Sequence, residues 1–183
     1  VHTGHSSGEQ ALALIEAARE AGCDRIVVTH AQFDVVGMTV PQMKKAAAMG
    51  AKMELCALGM LTGPDAPLEF LRHSARVEVT ETAAAIKAVG ARHFVLGTDL
   101  GQSGNPTPPD GLHMFVAALA AQGVTRDEIE AMGAEVPGVV VDVMRGGYVC
   151  SATSKGKSTA QDVLDVAQGR KPLDKLFSRN QRA

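Results

Sequence analysis

The segment DRIVVTHAQF, residues 24–33, passes from two charged residues through Ile26, Val27 and Val28 to a histidine, His30. A compact β-branched run of this kind predicts a strand over Ile26–Thr29, buried on both faces of a parallel sheet. Upstream, Ser7 and Gly8 precede EQALALIEAAREAG, where Ala11, Leu14, Ile15 and Ala18 fall on one helical face and Gly22 is placed to end the helix. Downstream, VPQMKKAAAMG reads as a short helix with Pro41 in its first turn, and AKMELCAL as the next strand. A connection with a short helix at 68–73 leads to a helix in TETAAAIKAVG with Thr80 as N-cap. The strand RHFVLGTDLG follows, then an irregular loop, QSGNPTPPDG. LHMFVAALAAQG and TRDEIEAMGAE are helices, the second opened by a Thr125–Glu128 capping box. The apolar run Val136–Val143 is read as a helix that starts at Pro137, with a strand as the alternative. From Arg145 the chain turns Gly/Ser/Lys-rich before a last helix, AQDVLDVAQG. The alternation of strands and helices is that of βα units around a parallel sheet.

Composition narrows the partners. The 183 residues suffice for one domain; 45% are hydrophobic and 21% charged, ordinary for a globular chain. A formal charge of −2 with scattered Lys and Arg indicates neither nucleic acid nor an anionic membrane. No apolar run nears the roughly 20 residues of a membrane span, and no signal pattern opens the chain. Cys23, Cys56 and Cys150 fit no metal spacing, so reduced buried thiols in a cytoplasmic protein are expected. With a first residue of Val1 and a histidine already at position 2, the chain reads as a processed, truncated or split product.

Functional groups of parallel α/β folds collect at the carboxyl ends of strands. VHTGHSS presents His2 and His5 there, IVVTH presents His30, and FVLGTD presents Asp99. Imidazoles plus a carboxylate suit a borderline divalent cation: zinc first, with manganese, iron or nickel as alternatives.

The order strand–His, strand–His, strand, strand–Asp resembles the second half of the metal-dependent amidohydrolase superfamily, a (β/α)8 TIM barrel, most closely its phosphotriesterase-like branch. The resemblance covers residues 1–144 and implies strands 5–8 of the barrel. By position, His2 and His30 correspond to the metal-binding histidines of strands five and six. Asp99 corresponds to the aspartate of strand eight, which binds metal and acts as base. Gly111–Met132 is similar to the family's ending, but Val136 stands where asparagine is usual. The His-x-His pair of the first strand and the lysine or glutamate of the fourth have no counterpart. The resemblance therefore implies a second chain or N-terminal segment that completes the barrel, and an oligomer. Residues 145–183 have no family counterpart and form a C-terminal extension, assigned to an inter-subunit contact.

Further candidates flank these positions. His5 either faces the site and substrate or is a turn residue that caps the next helix, while Gln32 and Phe33, just beyond His30, shape the substrate pocket. Gln102 and Asn105, in the loop after Asp99, are read as substrate contacts, as is Glu54 beside the site. If Met53 and Leu55 pack outward, Glu54 and Cys56 face the barrel interior, where an unpaired carboxylate is costly. His73, His93 and His113 fall at the wrong end or on helices. SKGKST, with Lys155 and Lys157, lacks the spacing of a phosphate loop. The expected function is metal-dependent hydrolysis of an amide, cyclic amide or ester (lactone). A non-catalytic barrel-like subunit and a small α/β domain binding a small molecule are the alternatives.

Overall fold

The computed structural model describes residues 1–135. The run Val136–Val143, Cys150, SKGKST and the extension 145–183 lie outside the described residues. The elements are α1 (Gly8–Glu20), β1 (Val27–Val28), α2 (Val40–Ala48), β2 (Lys52–Cys56), α3 (Glu69–Arg72), α4 (Val79–Val89), β3 (Phe94–Gly97), α5 (Pro108–Ala121) and α6 (Arg126–Glu130). The protein is α/β, with a parallel sheet in the order β1-β2-β3. A parallel bridge from His2 to Val27 lays the N-terminal segment alongside β1.

The register sorts the strand residues. Val28 pairs with Met53 and Met53 with Phe94, while Leu55 pairs with Leu96. These face the helices: Val28, Met53, Leu55 and Phe94 share one core with Ala11 and Ile15 of α1, Met43 of α2, Ile86 of α4 and Phe115 of α5. Full burial of side chains of this size contributes about 1.5–3 kcal/mol each. Lys52, Glu54 and Cys56 alternate onto the other face with Val95 and Gly97. The sheet is thus packed by helices on one side and carries its polar groups on the other.

Local chemistry explains the helix starts. Ser7, Thr39 and Thr125 each close a capping box, with Gln10, Gln42 and Glu128 as reciprocal partners. Several boundaries differ from the sequence expectation, the strands AKMELCAL and RHFVLGTDLG among them, which shorten to Lys52–Cys56 and Phe94–Gly97. The ladder of β1 spans Val27–Val28 alone, inside the expected Ile26–Thr29. α4 starts at Val79 with Glu78 as cap, because the Glu78 carbonyl accepts from the amides of Glu81 and Thr82; Thr80 is inside the helix. α5 starts at Pro108, within the expected loop, because Thr107 caps it and Pro108 tolerates the first turn. On α1, Leu14 sits at the edge of the buried stripe and is 43% exposed, whereas Ala11 and Ile15 are buried.

Candidate functional site

Beyond β1 the chain makes an abrupt step. Strand alternation from Val28 would aim His30 at the helix-covered face. Instead His30 adopts a left-handed backbone, φ 49°, and its ring swings to the polar face. Asp99, two residues past β3, also adopts a left-handed backbone, φ 50°. These are the two non-glycine residues with positive φ among the described residues. For a residue with a Cβ such a conformation costs about 1–3 kcal/mol, and it collects at functional sites.

Four side chains come together here. His30 Nδ1 lies 3.3 Å from Glu54 Oε2 and 3.3 Å from Cys56 Sγ. Its other ring nitrogen, Nε2, lies 3.7 Å from Asp99 Oδ2. The backbone N–H of His30 also donates to Glu54 Oε2, at 3.3 Å. Donor atoms of His30, Glu54 and Cys56 all fall within 4.8 Å of one another, a grouping able to hold a metal ion. The His30 ring stacks on Phe33, with centroids 4.9 Å apart, and meets the tilted His5 ring at 5.3 Å. A cavity of about 10 Å³, room for about one water molecule, adjoins His30, Glu54 and Cys56.

The strand partner of Cys56 is Gly97. A Cβ there would stand 3.0 Å from Glu54 Oε1 and 3.4 Å from Cys56 Sγ, so the missing side chain is what leaves room for the two donors.

Burial pushes the Cys56 thiol well above its ordinary pKa, and the nearby Glu54 and Asp99 carboxylates push it further. The opposite end of the sheet has the opposite character. There Lys52 donates to the Arg92 carbonyl at 2.8 Å, and burial followed by the Arg92 charge lowers its pKa. His93 is lowered too, by burial and then by Lys52.

Of the residues expected from sequence, His30, Asp99, Glu54 and His5 converge. His2 is exposed beside β1, and the donor grouping leaves it out. Gln32 lines the cavity and accepts from the Thr82 hydroxyl at 2.8 Å. Gln102 donates to the Asp99 carbonyl at 2.9 Å and accepts from Asn105 at 3.0 Å, so both brace the loop that carries Asp99. Cys56 is the donor that sequence reasoning passed over as a bland buried thiol. Its signal was parity: two residues after Glu54 on one strand, it shares that face.

Comparison with known proteins covers part of this ground. Residues 1–54 match the model of a family of unknown function (DUF6282). The matched stretch contains His2, His5, His30 and Glu54 and stops short of Cys56 and Asp99. No curated protein and no solved structure matches the chain. No helix among the described residues is long and apolar enough to cross a membrane.

Proposed function

We propose that the protein is a metal-dependent hydrolase of the amidohydrolase type, acting on an amide, cyclic amide or ester (lactone) bond. The observation that carries this reading is the convergence of His30, Glu54 and Asp99 at the carboxyl end of one parallel sheet. The donor chemistry fits a divalent cation, zinc first and manganese, iron or nickel as alternatives: an imidazole nitrogen and a carboxylate oxygen, both half-buried, beside a small cavity. His30 and Glu54 would hold the ion. When bound, it would polarise the scissile carbonyl and make a water acidic enough to lose its proton near pH 7.

The chain's own residues supply the rest. Asp99, the more exposed carboxylate at 37%, accepts the water proton on Oδ2 and returns it to the leaving group. Phe33 holds the His30 ring by stacking, and His5 borders it on the open side. In this reading the described strands are part of a (β/α)8 barrel, and the remaining strands come from a second chain or a further segment. Mass spectrometry of the intact assembly would reveal such a partner.

The deciding experiment is elemental analysis of the purified chain combined with hydrolysis of an amide and lactone panel. Stoichiometric divalent metal, with turnover that Asp99→Asn lowers by about 10²–10⁴-fold while the metal is retained, is the expected result. Unchanged turnover in a metal-loaded Asp99→Asn variant would overturn it.

A further inference from the structure

We propose that Cys56 is a direct metal ligand, so that the site is an N/O/S centre selecting a thiophilic cation, zinc or cobalt, over magnesium, manganese or calcium. This rests on the metal reading of the same site and adds a ligand and a selectivity to it. Zinc bonds of about 2.0–2.2 Å to nitrogen or oxygen and about 2.3 Å to sulfur, set at a tetrahedral angle, place nitrogen and oxygen about 3.4 Å apart. The same angle places nitrogen and sulfur about 3.5 Å apart. His30 Nδ1 is 3.3 Å from Glu54 Oε2 and 3.3 Å from Cys56 Sγ. The two pairs that His30 Nδ1 makes therefore already stand at ligand spacing, within a few tenths of an ångström, and the Glu54 and Cys56 donor atoms lie within 4.8 Å of each other.

Two further features fit this arrangement. Gly97 leaves open the space that Glu54 and Cys56 occupy, and a Cβ there would press on the Glu54 carboxylate at 3.0 Å while touching Cys56 Sγ at 3.4 Å. Asp99 lies off the opposite ring nitrogen, Nε2, outside this donor set. The site thus departs from the resemblance: Asp99 keeps the role of base and gives up that of ligand. Binding is balanced by loss of one proton, because the Cys56 thiol releases its proton to solvent as sulfur takes up the metal. Carboxylate and water ligands suit magnesium, calcium and manganese, whereas a thiolate favours softer ions.

The test uses the full 183-residue chain, stripped with chelator and titrated with cobalt(II) alone. A thiolate-to-cobalt charge-transfer band in the near ultraviolet is expected, and its absence in Cys56→Ala separates Cys56 from the other thiols. Zinc affinity should fall at least about 100-fold in Cys56→Ala and Cys56→Ser, since losing even an outer-shell partner costs about 10–100-fold. Manganese affinity should be nearly unchanged. Cobalt bound without the band, or zinc affinity unchanged in both variants, overturns the inference. A wild-type chain that binds cobalt without the band overturns the inference even if Cys56→Ala fails to fold, and Cys23→Ala and Cys150→Ala variants that keep the band then assign it to Cys56. A chain that gives the band and hydrolyses nothing keeps the inference and sinks the hydrolase reading. A chain that hydrolyses with cobalt bound and gives no band sinks the inference alone.

Discussion

Replacing Gly97 by alanine separates the stability of the sheet from the geometry of the site. The backbone of Gly97 is outside the left-handed region, so alanine is allowed there without strain. The substitution narrows the unfolded ensemble, worth about 0.4–1 kcal/mol, and buries one more methyl, worth about 0.8 kcal/mol. Against this, the new Cβ would meet Glu54 Oε1 at 3.0 Å, Cys56 Sγ at 3.4 Å and Glu54 Cγ at 3.5 Å. Overpacking of that kind costs about 1–3 kcal/mol. The terms oppose one another, leaving a net change within about 2 kcal/mol and a melting shift within about 8 °C. The site does not escape so lightly. Glu54 Oε2 already sits 3.3 Å from both the His30 amide and His30 Nδ1, so a retreat of a few tenths of an ångström breaks hydrogen-bond range. Zinc affinity should then fall about 10–100-fold, the scale of a lost supporting contact. The assay is a pair of measurements: thermal unfolding of the metal-free protein and a zinc competition titration. Wild-type zinc affinity in a folded Gly97→Ala variant would refute the reasoning.

Other outcomes follow from the packing. Ser7→Ala removes the cap of α1 and should cost about 1 kcal/mol, seen as a drop of about 2–4 °C in melting temperature; no drop would mean that Gln10 alone holds the helix start. Thr62, buried, places its hydroxyl 2.9 Å from the Gly59 carbonyl and 2.8 Å from that of Ala75. Thr62→Val should cost about 1–3 kcal/mol by urea unfolding, and a neutral result would show the carbonyls paired elsewhere. Glu128 is held below the ordinary glutamate pKa, first by its hydrogen bond to Lys87 and then by the Thr125 backbone. A lowered carboxylate stabilises above its unfolded pKa, about 4.3, and loses that contribution as pH falls through the folded value. Glu128→Gln keeps the capping box and drops the charge. Its stability deficit should be steady from about pH 7 to 5 and vanish in stronger acid; a deficit that persists there would assign the effect to something other than ionisation.

Periodicity and capping made most of the fold legible. Ser7 and Thr125 mark helix starts because their side chains do the same local work in a peptide as in the fold. The run at Ile26–Val28 announced a buried strand, although how much of it pairs depends on its neighbour's register. Strand ends also pointed to His30 and Asp99, and alternation put Glu54 and Cys56 on one face. What alternation could not carry was the left-handed step at His30, which turns its ring onto the face of Glu54 and Cys56. Without that step Cys56 has no imidazole beside it and reads as an inert thiol. His2 shows the converse: it satisfies the strand-end rule, yet its place beside β1 leaves it outside the donor grouping.

The two left-handed steps have a consequence for how this chain responds to selection. Glycine relaxes such a backbone by about 1–2 kcal/mol relative to other residues, offset in part by its greater freedom when unfolded. Positions 30 and 99 are therefore where a search for heat resistance alone would install glycine, and where each success would strip out a reactive group. In the proposed reading robustness and chemistry compete at the same two residues, so directed evolution of this protein calls for a functional screen at every round.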